Sequence, residues 1–316
     1  IELTYCVTTS EVAYLGTVAR PDDYMILTPC LATINLVPDR GVVFGICPAM
    51  AGLFSAYVEW VTRSWDYEAE GRPPRIAVLA MDAPSAHVPE DISPYIEANY
   101  DVEWGPFLYT GPSVTDATVE LTQLAAAGTD YLILIESESS TIVIFRDMQR
   151  LGLREQIAPA TCFIQTSTRL FNEIPELIDG AQSIMTYAHP LGDEPGCLLA
   201  REEQVRHHPA ELYFGYIYQL GWVSWQIPEI LRIAVENVGI ENVDNRALYN
   251  ALVTIENFDM GGLISPVSWT APDARVGMYD VAIWTLGPGG SPKATDWVES
   301  PHEYDIFGEP ETIWRP

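Results

Sequence analysis

The sequence predicts an α/β protein built on doubly wound parallel sheet, and three observations carry that expectation. Between Arg72 and Ala188, apolar runs such as Arg75–Met81 (RIAVLAM) and Tyr131–Ile135 (YLILI) alternate with amphipathic helical patterns. Strands that are apolar throughout must be covered on both faces, which parallel sheets with helical crossovers achieve. Helix-start residues and left-handed glycines fall where those patterns begin and end. Finally, 316 residues exceed the ~100–200 of a typical single domain, so two lobes are expected.

In chain order, Ile1–Cys6 reads as a strand and Thr8-Thr9-Ser10 as a helix start. Tyr24–Leu27 and Val42–Ile46 are the next strands, and Ala49–Arg63 is a long helix. Trp65–Pro74 carries charges, a glycine and a Pro-Pro pair, and reads as an exposed linker. Strand Arg75–Met81 ends at Asp82-Ala-Pro84, followed by helix around Pro89–Asn99 and strand Val102–Tyr109. Ser113 or Thr115 is the expected cap of a helix that carries Asp116 and Glu120, runs to Ala127 and stops at Gly128. After strand Tyr131–Ile135, Ser139 or Ser140 is expected to cap a helix with Ile142, Phe145 and Met148 on one face, closed by Gly152. Strand Ile157–Phe163, helix Thr168–Leu177 and strand Gln182–Tyr187 complete the alternation. A helical region from Glu211 to Val238 is interrupted at Pro228, and Val281–Leu286 is the best later strand. Gly287–Gly290 reads as a plain hairpin or surface turn. Right-handed crossovers place ligands beyond the carboxyl ends of such strands. That singles out the loops Asp82–Ser85, Glu136–Glu138 and Cys162–Gln165.

Sixteen Lys+Arg against 44 Asp+Glu give a net charge of −28, a field that excludes nucleic acid and anionic membrane surfaces as partners. Lys293 is the only lysine. No run of ~18 apolar residues is present to cross a bilayer, and no basic n-region with an apolar run and small-residue cleavage site is visible. Cys6, Cys30, Cys47, Cys162 and Cys197 form no CxxC pair and have no histidine at ligand spacing. They read as buried small hydrophobes, with a Cys6–Cys30 disulfide as the alternative; neither metal nor cofactor is expected. His207-His208 reads as a solvated helix start. Walker A, GxGxxG and GxSxG patterns are absent, and an enzymatic reading has only Ser85, His87 and Asp82, on proximity alone. Glu136 and Glu138, at strand spacing, are expected to point to the same side. Thr8-Thr9-Ser10 offers hydroxyls and free N–H groups suited to a carboxylate, or simply to capping.

The ordered set of segments resembles the type I periplasmic binding proteins, especially the leucine/isoleucine/valine-binding branch of ABC transporter solute receptors. Tyr24–Pro29 with Cys30-Leu-Ala-Thr33, Val43–Pro48, Arg75–Asp82, Leu121–Tyr131, Phe145–Gly152, Gly180–Thr186 and Gly261–Trp269 carry the likeness over nearly the whole chain. The resemblance implies two doubly wound parallel-sheet lobes joined by crossover strands. The first spans 1–70 and 191–262, the second 73–188 and 263–316. The family opens with a further strand–helix–strand portion, so the chain is expected to start inside the first lobe, because Ile1–Cys6 otherwise lacks its sheet neighbours.

The resemblance also implies a solute held between the lobes. Thr8, Thr9 and Ser10 map onto the helix start that holds a carboxylate, and Cys30, Leu31, Ala32 and Thr33 onto the next first-lobe loop. In the second lobe Ser85 takes the place of an aromatic, and Ser137 or Glu138 that of a tyrosine. The family's ammonium-binding acid maps within Thr161–Gln165, where Gln165 stands and no acid exists; Glu138 or Asp82 is the alternative amine acceptor. The function implied is that of a non-enzymatic extracytoplasmic binding protein for a small polar solute, partnered by membrane permease components. A ligand-sensing ectodomain of the same fold is the alternative, ahead of an α/β enzyme or a surface-layer role.

Overall fold

A computed structural model describes residues 3–5, 14, 25–28, 43–162, 165–208, 221, 224–270 and 276–308. Its strands are β1 (Leu3–Tyr5), β2 (Met25–Thr28), β3 (Val43–Gly45), β4 (Arg75–Met81), β5 (Glu103–Thr110), β6 (Tyr131–Ile135), β7 (Ala158–Cys162), β8 (Gln182–Met185), β9 (Asp280–Leu286) and β10 (Pro292–Glu299). The helices are α1 (Met50–Ser64), α2 (Tyr67–Glu70), α3 (Val88–Asp91), α4 (Ser93–Asn99), α5 (Thr118–Ala126), α6 (Glu138–Arg150), α7 (Thr168–Glu173), α8 (Pro195–His207), α9 (Gln226–Val238), α10 (Asn245–Leu252) and α11 (Glu303–Phe307).

Two sheets organise these elements. The first is parallel, in the order β1-β2-β3. The second runs β10-β9-β8-β7-β6-β4-β5, parallel from β8 to β5 and antiparallel where β9 and β10 close its edge. The apolar strands explain this layout. Ile76, Val78 and Ala80 of β4 face one side, with Ile133, Ala160 and Ile184 from its neighbours. Ala77, Leu79, Leu132 and Leu134 face the other, against Leu121 and Leu124 of α5 and Ile142, Phe145 and Met148 of α6. A period of two thus serves two buried faces at once.

Helix α1 buries Met50, Leu53, Phe54, Tyr57, Val58 and Val61, one stripe at helical spacing. Each such side chain removed from water contributes about 1.5–3 kcal/mol. The stripe packs on the second sheet, against β8, β9 and β10. Residues 50–64 therefore join the second lobe's core, although the boundary drawn from the resemblance groups them with the first. The connection after β3 carries the chain across to the second sheet through Ile46–Ala49, where Ile46, Cys47 and Ala49 are fully buried. On the first sheet, Met25, Leu27 and Phe44 pack with Leu248, Ala251 and Leu252 of α10 and with Trp269. The Phe44 and Trp269 rings lie 6.2 Å apart, nearly edge to face. Under Trp269, Gly277 has no room for a side chain: a Cβ there would sit 2.5 Å from the indole.

Several local readings are corrected. Ser137, not Ser139 or Ser140, caps α6 by accepting from Ser140 N–H; the run Ser-Glu-Ser-Ser offers three hydroxyls, and only the first precedes the helical turn. Ala117, not Ser113 or Thr115, precedes α5, which begins late because Asp116 accepts from Thr118 N–H at 2.8 Å and holds the turn open. Pro228 does not interrupt α9 but lies in its first turn, where the missing N–H has no helical acceptor to lose. Segment 65–74 is largely exposed, as expected, and is ordered as well: it contains α2, and Arg72 is held by Asp130 through two bonds of 2.6 and 2.7 Å. Gly287–Gly290 is the hairpin turn joining β9 to β10. Cys47, Cys162 and Cys197 are buried thiols, and burial pushes the latter two up to about 12. Cys6 and Cys30 lie outside the described residues.

Candidate functional site at the carboxyl edge of the second sheet

All three loops singled out by topology lie along one edge, where β5, β4, β6 and β7 end. A chain of hydrogen bonds links these ends. Asp82 N–H, after β4, donates to Thr110 O of β5 at 3.0 Å. Thr110 Oγ1 lies 2.5 Å from Glu136 Oε1, beyond β6. Gln165 Nε2 donates to Glu136 O at 2.5 Å, and Gln165 Oε1 accepts from Cys162 N–H at 3.1 Å. Gln165 is therefore a strap between β6 and β7, with both ends of its buried amide engaged within the protein.

Of the sequence-predicted residues, Asp82, Ser85, Ser137, Glu138 and Gln165 lie on or beside this edge. Thr8, Thr9, Ser10, Cys30, Leu31, Ala32 and Thr33 lie outside the described residues. Glu136 and Glu138 do not act as a pair. The strand ends at Ile135, so the two-residue period stops there. Glu136 turns to Thr110 and is 1 % exposed. Glu138 accepts from Ser167 Oγ, the cap of α7, and lies 3.8 Å from Arg169. Burial raises the carboxyl groups of both; for Glu136 the Thr110 hydroxyl opposes the rise, for Glu138 the Arg169 guanidinium does.

At the outer end, a second cluster forms around His87. Its Nε2 lies 2.9 Å from Asp82 Oδ1 and its Nδ1 3.7 Å from Glu90 Oε2. The ring packs 4.2 Å from that of Tyr109, whose hydroxyl donates to Glu90 at 2.7 Å. The Asp82 hydrogen bond raises the His87 pKa above its ordinary value, and desolvation followed by the Glu90 bond raises that of Tyr109. Ser85 sits on the single turn Pro84–His87, and none of the described hydrogen bonds joins it to His87. Both imidazole nitrogens face carboxylates, so this trio lacks the base–hydroxyl contact a nucleophilic serine needs. Sequence reasoning missed Thr110, Glu90 and Tyr109. Thr110 was recoverable from register, since it pairs with Met81 and must end beside Asp82.

No family model matches the chain, and no curated protein matches it. Solved structures do. A branched-chain amino acid ABC transporter protein from Thermus thermophilus, solved with bound valine, superposes with a TM-score of 0.79 at 16% identity, over 96% of this chain and 79% of that one. The fold is that of the type I periplasmic binding proteins. An ABC transporter substrate-binding protein from Aeropyrum pernix gives 0.78 at 16% identity, over 97% and 80%. A solute-binding protein from R. palustris in complex with 4-hydroxybenzoate gives 0.70 at 13% identity, over 96% and 80%. The two-lobe α/β architecture read from the sequence is thus the observed one. Among the described residues, no helix is long and apolar enough to cross a membrane.

Proposed function

We propose that this chain is an extracytoplasmic solute-binding protein of an ABC-type transporter, holding a small polar solute between its lobes and presenting it to membrane permease components. The observation that carries this reading is the match, over 96% of the chain, to a transporter protein that holds valine. The second-lobe wall of that cleft is the edge from Asp82 to Gln165, beyond the carboxyl ends of parallel strands, where open α/β sheets take ligands. On the first-lobe side, the resemblance read from the sequence assigns the solute contacts to Thr8, Thr9, Ser10, Cys30, Leu31, Ala32 and Thr33. Ser85, Ser137 and Glu138 complete the second-lobe contacts.

The chemistry of that wall favours a solute bearing hydrogen-bond donors, such as an amino acid, an amide or a related metabolite. Asp82, Glu90 and Glu138 bring acceptors to the edge, while His87 and Arg169 are already engaged with acids. An aromatic carboxylate directed at this lobe meets repulsion instead. Contacts to both lobes stabilise the closed form over the open one. The test is thermal denaturation of the chain against a panel of amino acids, amides and aromatic acids, with isothermal titration of each hit. A solute at ~100 times its Kd adds about 2.7 kcal/mol of stability. Saturable binding of a donor-bearing solute is the expected result; no stabilisation by any member overturns the reading.

A further inference from the structure

Glu136 is the only buried acid among the described residues, and its setting does not suit a carboxylate. An ionised carboxylate accepts at about four lone-pair positions. Thr110 is the hydrogen-bond partner of Glu136 Oε1, the Ser137 N–H and the Ser140 hydroxyl act on the carboxyl to a lesser degree, and Oε2 is buried with no hydrogen-bond partner. An ionised acid left so is strongly disfavoured, whereas a neutral one is tolerable.

The hydrogens around Thr110 point the same way. Its Oγ1 lies 2.5 Å from Glu136 Oε1, 3.1 Å from Gly111 O and 3.4 Å from Ala80 O, so one hydroxyl hydrogen faces three oxygens. A proton on Glu136 resolves the shortage: the acid donates to Thr110 Oγ1, and the Thr110 hydroxyl donates onward to Gly111 O. Once that proton leaves, Thr110 must turn its hydrogen to the carboxylate, and Gly111 O loses its donor.

We propose that Glu136 is a proton-dependent latch, which as the neutral acid fastens the end of edge strand β5 and its following loop to the start of α6. The same loop rests on α6 through Val114 N–H to Ser140 Oγ at 3.1 Å and Ala117 N–H to Asp147 Oδ2 at 2.9 Å. Release of the latch therefore loosens two loops of the candidate site together. The charged groups around Glu136 oppose its ionisation. Glu120 of α5 is the acid that acts on it directly, Asp82 follows β4, and Glu138 opens α6. β5 contributes the uncharged Thr110 and β7 the neutral thiol of Cys162. Arg169 and His87 are spent on Glu138 and Asp82. Burial pushes the Glu136 carboxyl up, in the same direction.

The sign follows from linkage. An acid raised in the folded state adds stability that is complete below its unfolded value and is lost as pH rises through the folded value. Glu136→Gln reproduces the neutral acid, because its amide N–H can donate to Thr110. The experiment compares thermal midpoints of the chain and this variant from about pH 4 to about pH 9, with hydrogen exchange of the Gly111–Ala117 amides at each pH. The midpoints are expected to coincide at the acid end and to separate by a few degrees at the alkaline end, variant higher, with faster exchange in the unsubstituted chain there. A difference that does not change with pH overturns the latch. Should the variant not fold, infrared titration of the unsubstituted chain decides. A neutral-acid carbonyl band that persists after the exposed carboxyls have ionised supports the proposal, and its absence overturns it.

Discussion

The two ends of the second sheet are built from opposite electrostatics. At the amino end, strand after strand is fastened by a cation. Arg72 grips Asp130 bidentately, and Asp130 also accepts from Arg75 N–H at 2.8 Å. Arg75 pairs with Glu103 of β5. Arg154 donates to Leu177 O and Asp179 O, each at 3.1 Å, and Lys293 pairs with Asp179 from β10. The carboxyl end gathers Asp82, Glu90, Glu136 and Glu138, and among the described residues the only basic side chains paired with them are His87 and Arg169. In a chain with 16 Lys+Arg against 44 Asp+Glu, cations are scarce. Four of them fasten the amino end of this sheet, which makes that end structural and leaves the other rich in acceptors.

The largest expected effect lies at the structural end. Asp130→Ala leaves the Arg72 guanidinium and the Arg75 N–H without their shared acceptor. Because Arg72 is partly exposed and water recovers some of the loss, the expected cost is about 2–3 kcal/mol in urea unfolding. Gln165→Ala at the functional end removes two buried bonds and opens a small void, for about 1–2 kcal/mol. The contrast between the ends breaks down if Gln165→Ala proves the more damaging of the two.

How far the sequence reveals this contrast depends on which forces act locally. The strands β4, β6 and β9 and the stripe of α1 are plain in the sequence, because burial on two faces forces unbroken apolar runs and a helical face forces its spacing. The edge loops were legible in place, since parallel topology alone locates them, but not in role. Gln165 resembles a ligand residue until its amide is seen closing β6 onto β7. Glu136 and Glu138 look equivalent until the chain leaves strand geometry at Ile135 and sends them to Thr110 and Ser167. Nor does spacing place α1, since an amphipathic stripe says that a helix packs and not on which sheet. Those distinctions rest on pairings between residues 26–29 positions apart, which no local pattern encodes.

A smaller effect separates capping from solute contact at the functional end. Ser137→Ala removes the hydroxyl that accepts from Ser140 N–H at 3.2 Å, and caps of this kind are worth about 1 kcal/mol. Thermal denaturation should register that loss, with Ser137→Asp recovering most of it, because Asp caps as well and suits the positive helix end. If Ser137 also touches the solute, as proposed, isothermal titration shows weaker affinity in the aspartate variant despite its restored stability. Unchanged affinity in both variants confines Ser137 to its cap.

The smallest effect on stability is also the sharpest probe of the outer acids. Asp82→Asn removes the charge that chiefly raises His87, leaving only Glu90 at 3.7 Å. The His87 pKa, followed by NMR of the ring protons, should fall toward its ordinary value of 6.5. A raised histidine contributes stability that is complete below its unfolded value and disappears as pH rises through the folded one, so the variant loses stability on the acid side of that window. His87 is more than a third exposed and Asp82 is 70 % exposed, so water screens the pair and the loss stays within a few tenths of a kcal/mol. An exposed charge pair of such small worth to the fold leaves Asp82 free to serve recognition. A solute affinity that drops several-fold in Asp82→Asn while the thermal midpoint barely moves marks the acid end of the sheet as the binding end; affinity and midpoint that stay together assign Asp82 to the His87 cluster alone.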